Sequence, residues 1–311
     1  MIRSIIIRIA IVLILIIIVL LGREIFYYRG SYSPPPDETP SYEHIVIPPE
    51  PSTGFSDNYT QGEGIVLIDL AHDNTFDVEE LNVLTLRLVS RGLTVEFLKE
   101  KDKLEEKLLG EGDLGKEELE EKELGEEELE EELEEEEFTT ADAFIVVCPQ
   151  EFSKDEKETV EDFVNDGGKL LLIDDPTRPD KMNSLSLGFG LIFELDYLYN
   201  MKEYETNYRN IFVSEFRENE ITGKLEKIAL YTAGSISSDN CSIAFVDQNT
   251  FSSLIETRKE LSPMALTGES RVLAIHDLTF ITEPHNGILD NNRLISNIAD
   301  WLASPVDSSK A

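Results

Sequence analysis

The sequence predicts an α/β protein: a mostly parallel sheet covered by helices on both faces, preceded by one membrane-spanning helix. Three observations carry that expectation. Short runs at 64–70 (GIVLIDL), 143–148 and 169–173 (KLLLI) are apolar at nearly every position, as strands buried on both faces are. Between them stand segments with helical spacing and amino-terminal caps, so that β and α alternate along the chain. Residues 5–21 are apolar except for Arg8, a run of bilayer-crossing length and composition.

That run comes first in the chain. Each Ile, Leu or Val contributes about −0.3 to −0.6 kcal/mol, and together they outweigh about +2.5 kcal/mol for one arginine near the edge, which also snorkels. No small-x-small pattern follows, only Gly22-Arg23-Glu24-Ile25-Phe26-Tyr27-Tyr28, so residues 1–30 read as an uncleaved, single-pass anchor. Tyr27, Tyr28 and Tyr32 fall where an interfacial aromatic belt belongs. Arg3 and Arg8 face Arg23 and Arg29, the latter pair offset by Glu24, a balance that places the amino end inside the cell membrane and the bulk of the chain in an extracytoplasmic space. Residues 31–63 carry Pro34, Pro35, Pro36, Pro40, Pro48, Pro49 and Pro51 and read as an extended stalk. Asn58-Tyr59-Thr60 within it, and Asn240-Cys241-Ser242 later, match the short glycan-acceptor pattern.

The folded domain is expected over 64–303, with a tail at 304–311. The first strand, 64–70, leads into a helix over 78–90, opened by Asp77 with Glu80 three residues on and stopped by Gly92. Strands follow at 93–98, 143–148 and 169–173. Ser153-Lys154-Asp155-Glu156 is a capping box for a helix with Val160, Phe163 and Val164 on one face. The stretch 191–265 has weaker periodicity, with strands at 227–231 and 242–246 as antiparallel additions. A strand at 271–275 and a closing helix from Asp290, burying Leu294, Ile295, Ile298, Trp301 and Leu302, complete the domain.

One block interrupts this order. Residues 99–137 hold 21 Asp/Glu and 6 Lys/Arg, with Leu109, Leu114, Leu119, Leu124 and Leu129 every five residues. At about 100° per residue such leucines spiral round a helix and form no apolar face. The block reads as an acidic low-complexity insert in a loop. The whole chain has a formal charge of −36, which excludes nucleic acid as a partner because phosphate would be repelled. Two cysteines, Cys148 and Cys241, report no disulfide framework.

LIDLAHDNTF at 67–76, FVNDGGKLLLIDDP at 163–176, GFG at 188–190 and DNNRLISNIADWL at 290–302 together resemble the membrane-anchored domain of unknown function related to class I glutamine amidotransferases. That family is similar to the ectodomains of gliding-motility-type ABC transporter auxiliary proteins and to an intraflagellar transport subunit. The resemblance implies a flavodoxin-like three-layer sandwich. It also implies a role beside transporters or other assemblies of the cell envelope, with proteins as partners.

In an amidotransferase the nucleophilic cysteine sits in a glycine-flanked elbow with φ > 0, and the next N–H helps to hold the oxyanion. Here Cys148 stands between Val147 and Pro149. Proline has no N–H and favours extended geometry in the residue before it, so the expectation is that no elbow forms and Cys148 is a buried apolar thiol. The family's His-x-Glu is absent too: His276 precedes Asp277-Leu278, and His285 precedes Asn286-Gly287.

Ligands of parallel sheets bind outside the carboxyl ends of the strands. The residues there are Asp69, His72, Asp73 and Asn74 after the first strand, Asp174 and Asp175 after the fourth, and His276 and Asp277 after the late one. Carboxylates and imidazoles on one lip suit cation binding or acid/base work; equally, they suit the capping of turn amides. No spacing matches a metal signature, and no cofactor is implied. The expected role is that of a non-catalytic binding or scaffolding domain. The alternative is a hydrolase or transferase using the Asp/His lip.

Overall fold

The computed structural model describes residues 2–28, 52–110, 140–202, 208–254 and 260–304. The expected residues of the stalk before position 52, Tyr32 among them, the tail beyond 304, and the part of the acidic insert from 111 to 137 lie outside the described residues. The chain divides into two units, residues 1–49 and 50–311.

The described residues of the first unit form helix α1 (Ile2–Tyr28), and its stretch Arg8–Phe26 is long and apolar enough to cross a membrane. None of the side chains in that stretch is buried within the protein.

The second unit is a mixed α/β domain. Its strands β1 (Ile65–Asp69), β2 (Thr94–Leu98), β3 (Ala143–Val147) and β4 (Lys169–Ile173) are those expected from the apolar runs, within a residue at each end. The helices between them are α2 (Asn82–Ser90), α3 (Leu104–Leu109) and α4 (Lys154–Asn165). The cap at Asp77 and Glu80 forms as expected, but it opens a 3-10 turn at Val78–Leu81 from which α2 continues. Both halves of the Ser153/Glu156 box are made, Ser153 N donating to Glu156 Oε2 at 2.6 Å and Glu156 N to Ser153 Oγ at 3.3 Å.

Beyond β4 come the short helix α5 (Asn183–Ser186) and strands β5 (Leu191–Phe193), β6 (Leu198–Asn200), β7 (Asn210–Phe216), β8 (Ile228–Tyr231) and β9 (Ile236–Ser238). Then follow β10 (Ser242–Val246), β11 (Thr250–Ser252), β12 (Met264–Thr267), β13 (Val272–Ile275) and the closing helix α6 (Asn291–Ala303). Nine strands share one sheet in the order β2-β1-β3-β4-β13-β12-β10-β7-β8. The first five are mutually parallel, and from β12 outward every pairing is antiparallel. Two ribbons, β11-β6 and β5-β9, stand outside it.

Side chains alternate across the pleat, so the parallel strands feed two cores. Ala143, Ile145 and Val147 of β3 join Leu84 and Leu88 of α2 and Leu294, Ile298 and Trp301 of α6. Phe144 and Val146 join Leu104 and Leu108 of α3 and Val160 and Phe163 of α4. Leu104 and Leu108 correct the expectation for the acidic block. Its first turns, with apolar residues four apart, are the helix that links β2 to β3. Ala141 N donates to Lys107 O at 2.9 Å, so the end of α3 and the chain entering β3 lie side by side.

The stalk boundary moves as well, since residues 52–63 pack along α2 and α6. Arg91, fully buried, anchors them. Its guanidinium reaches Asp57 Oδ1 at 3.1 Å, Asp300 Oδ1 at 2.6 Å and Ser296 Oγ at 2.9 Å, and it lies 4.7 Å from the Tyr59 ring. A buried guanidinium needs this many acceptors to be tolerated. Ser52 also bridges to Leu289, which carries the docked chain to the start of α6.

Exchanging residues 112–138 for a short flexible Gly/Ser link is expected to leave the thermal midpoint within a few degrees, because the cost of closing a flexible loop changes by only about 0.6 kcal/mol per doubling of its length. Leu108→Ala is expected to cost about 2–5 kcal/mol in urea melts, as a buried leucine does. Unfolding of the exchanged chain, or a neutral Leu108→Ala, would contradict this placement of α3.

Candidate functional site

The carboxyl ends of β1, β3, β4 and β13 lie side by side and carry, in that order, Asp69, Cys148, Asp174 and His276. The sequence predicted this lip, and six of its eight candidate side chains are buried there: Asp69, His72, Asp174, Asp175, His276 and Asp277. Asn74 is partly buried, and Asp73 is exposed at φ 47°, turning the chain in solvent.

The candidates form separate groups. In the first, Asp69 Oδ1 is 2.8 Å from His72 Nδ1 and accepts Ala71 N at 3.1 Å, while Asn74 Nδ2 donates to Asp69 Oδ2 at 3.0 Å and to Val147 O at 2.9 Å. The His72 ring stacks on Phe152 with centroids 3.7 Å apart. Its Nε2 faces Glu156 Oε1 at 3.4 Å without a hydrogen bond. Glu156 was legible only as part of a cap; that it also approaches His72 depends on tertiary packing.

In the second group His276 Nε2 stands 3.7 Å from Asp174 Oδ2, too far for a hydrogen bond. His276 Nδ1 is 3.1 Å from Ser235 O, and since a carbonyl only accepts, Nδ1 carries the hydrogen. Burial lowers the His276 pKa below the ordinary imidazole value, so the ring is neutral at pH 7. It packs flush on Gly234, where any Cβ would fall 2.2 Å from ring atoms. Burial, then the hydrogen bond and charge of Asp180, push the Asp174 carboxyl up to about 9. Among the described residues no hydrogen bond or ion pair joins this group to Asp69 or His72.

Asp175 and Asp277 tie loops. Asp175 Oδ1 accepts Thr177 N at 2.9 Å, and Asp277 accepts Thr279 N at 2.8 Å and Tyr231 N at 2.9 Å. Burial, with the neighbouring charge of Asp175, raises the Asp277 carboxyl to about 8. Above the lip, Arg178 grips Glu80 with both nitrogens, at 2.9 and 2.5 Å, and donates to Thr75 O at 2.6 Å. Burial alone would raise Glu80, yet these hydrogen bonds hold it below the usual carboxylate range.

Cys148 corrects one expectation and keeps another. Its φ is +40°, so proline at the next position does not hold it extended. The bonds around it over-determine the backbone: Cys148 N donates to Ile173 O at 2.9 Å, Thr75 N to Cys148 O at 3.0 Å and Lys181 N to Pro149 O at 2.8 Å. The thiol itself is fully buried, and burial, reinforced by the charges of Asp174, Asp175 and Asp180, pushes its pKa far up. Pro149 supplies no oxyanion N–H, and α4 begins only at Lys154, so the residue after the thiol does not open a helix.

A buried network that the sequence did not disclose lies beside His276. Asp196 accepts Ser235 N at 2.8 Å, Ser235 Oγ at 2.9 Å and Ser252 Oγ. A cavity of about 480 Å3 lies elsewhere, lined by Glu215, Arg217, Asp247, Thr250 and Glu260 among others. Among the described residues no cluster of His, Cys, Asp and Glu is arranged to hold a metal ion.

Fold and lip together define a mixed α/β domain whose strand-end edge is closed by its own side chains. No protein-family model and no curated protein matches the sequence. Among solved structures, the mmIFT52 N-terminal domain is similar with a TM-score of 0.56 and 14% identity, over 77% of this chain and 98% of that one; this likeness shows the fold alone. A putative ThuA-like protein from Bacteroides uniformis ATCC 8492 aligns with a TM-score of 0.46 and 9% identity, over 82% and 96%. A β-galactosidase from Bacillus circulans sp. alkalophilus aligns at 0.44 and 12%, over 77% of this chain and 31% of its own.

The raised Asp174 carboxyl has a thermodynamic signature. An unfolded aspartate loses its proton near pH 4, whereas folded Asp174 keeps it to about pH 9, so this group stabilises the fold most below pH 4 and its contribution is lost as pH rises toward 9. Asp174→Asn, which mimics the protonated acid, is expected to raise the thermal midpoint at pH 8–9 and flatten its fall with pH. Equal destabilisation at every pH would contradict the assignment.

Proposed function

We propose that this chain is a membrane-anchored, non-catalytic amidotransferase-like domain that serves as a binding or scaffolding component of a cell-envelope or ABC-transporter-associated assembly. Its soluble domain lies outside the cytoplasm, on the single pass of α1. One observation supports the non-catalytic reading above others: the position of an acyl-transfer nucleophile is occupied by a buried, protonated thiol among carboxyl groups, followed by a residue with no N–H. The flavodoxin-like three-layer reading draws support from the parallel order β2-β1-β3-β4-β13, the 2-1-3-4-5 arrangement of that class, and from helices packed on both faces.

Acid/base chemistry at the lip, the alternative, requires a substrate to reach a ring nitrogen of His72 or His276, and both rings are buried. Their neighbours hold loop amides, which is structural work. A scaffold needs only its outer surface.

The test is complementation in the organism of origin together with purification from its membranes. Cys148→Ala is expected to restore function in full and to retain the same integral-membrane partner in stoichiometric amount. A variant that folds normally yet loses function, or a chain that purifies alone from native membranes, would overturn the proposal.

A further inference from the structure

Asn240 stands at the head of Asn240-Cys241-Ser242, in the connection between β9 and β10. It is exposed, with φ at +61°, a left-handed conformation that asparagine tolerates better than most residues. The turn is held from below, Arg217 Nη1 donating to Asn240 O and Leu266 N to Cys241 O at 2.9 Å. The side-chain amide of Asn240, by contrast, makes no hydrogen bond among the described residues. The other acceptor triplet is presented differently. Asn58 Oδ1 accepts Ser56 Oγ at 3.2 Å, and Tyr59 lies against the buried Arg91 within the docked segment 52–63.

We propose that Asn240 is an N-glycosylation site, the acceptor of an oligosaccharide carried on a lipid-linked phosphate donor. In the transfer, Asn240 Nδ2 attacks the anomeric carbon of the first sugar. An N–C bond forms, the bond from that carbon to the phosphate oxygen breaks, the lipid phosphate departs with the electron pair, and the amide loses one proton. The Ser242 hydroxyl is the element of the triplet that the transferase reads. A rigid turn with a free amide presents the acceptor without unfolding the sheet. This inference rests on the extracytoplasmic placement of the domain.

The experiment is peptide mass spectrometry on the full chain recovered from membranes of its own cells. The peptide containing Asn240 is expected to carry a sugar mass in the natural chain and in Ser242→Thr, and to carry none in Asn240→Gln and Ser242→Ala. In parallel, intact cells expressing Ser242→Ala are treated with a membrane-impermeant maleimide that reports Cys241. Labelling of Cys241 from outside with an unmodified Asn240 in the natural chain would overturn the glycan assignment and leave the placement standing; absence of labelling until the membrane is opened would overturn both. Sugar that persists in Ser242→Ala, or that resides on Asn58 alone, would also defeat the assignment.

Discussion

A carboxyl group taken out of water must find hydrogen-bond donors or keep its proton, and the ends of β1, β4 and β13 use both solutions. Asp69 and Asp277 collect loop amides, and Asp174 holds its proton to about pH 9. Because each group is satisfied internally, the edge that in other parallel sheets opens onto ligands is here a seam joining loops from four strands. The Arg178–Glu80 grip lies across the seam and links the segment after β4 to the turn after β1.

This constraint decides the chemistry of Cys148. Backbone geometry does not, since its φ of +40° is one that a nucleophile elbow also uses. Two features tell against acyl transfer: a thiol among carboxyl groups and away from water stays protonated, and the following residue has no N–H to hold an oxyanion. Conformation and reactivity are therefore separate properties of this position.

Much of the parallel half was legible because its signals are local. Apolar runs gave β1 to β4 and β13, and capping residues gave α4 and the entry to α2. Glu156 was visible only in its capping role, because its approach to His72 depends on how α4 packs on the lip. The antiparallel half was largely opaque: β5, β6, β9 and β11 have three residues each, too few to establish a period, and the Asp196–Ser235–Ser252 network joins three of those connections. α3 was missed because its Glu- and Lys-rich sequence merges with the repeat that follows, although Leu104 and Leu108 are spaced for one face. The docked segment 52–63 was masked by proline content upstream, and its anchor, Arg91, lies far along the chain. At Cys148 a sound local rule met a tertiary override, in which hydrogen bonds from three segments fix a conformation that the dipeptide alone disfavours.

The central claim is that the thiol at the end of β3 is a packing group. Alkylation of the folded chain followed by pH measures this most directly, with Cys241 as the internal reference because it is partly exposed. The account predicts that Cys241 reacts under native conditions while Cys148 stays unmodified through pH 9 and reacts only when the domain unfolds. Stoichiometric modification of native Cys148 near neutral pH, above all by an electrophile shaped like glutamine, would contradict it.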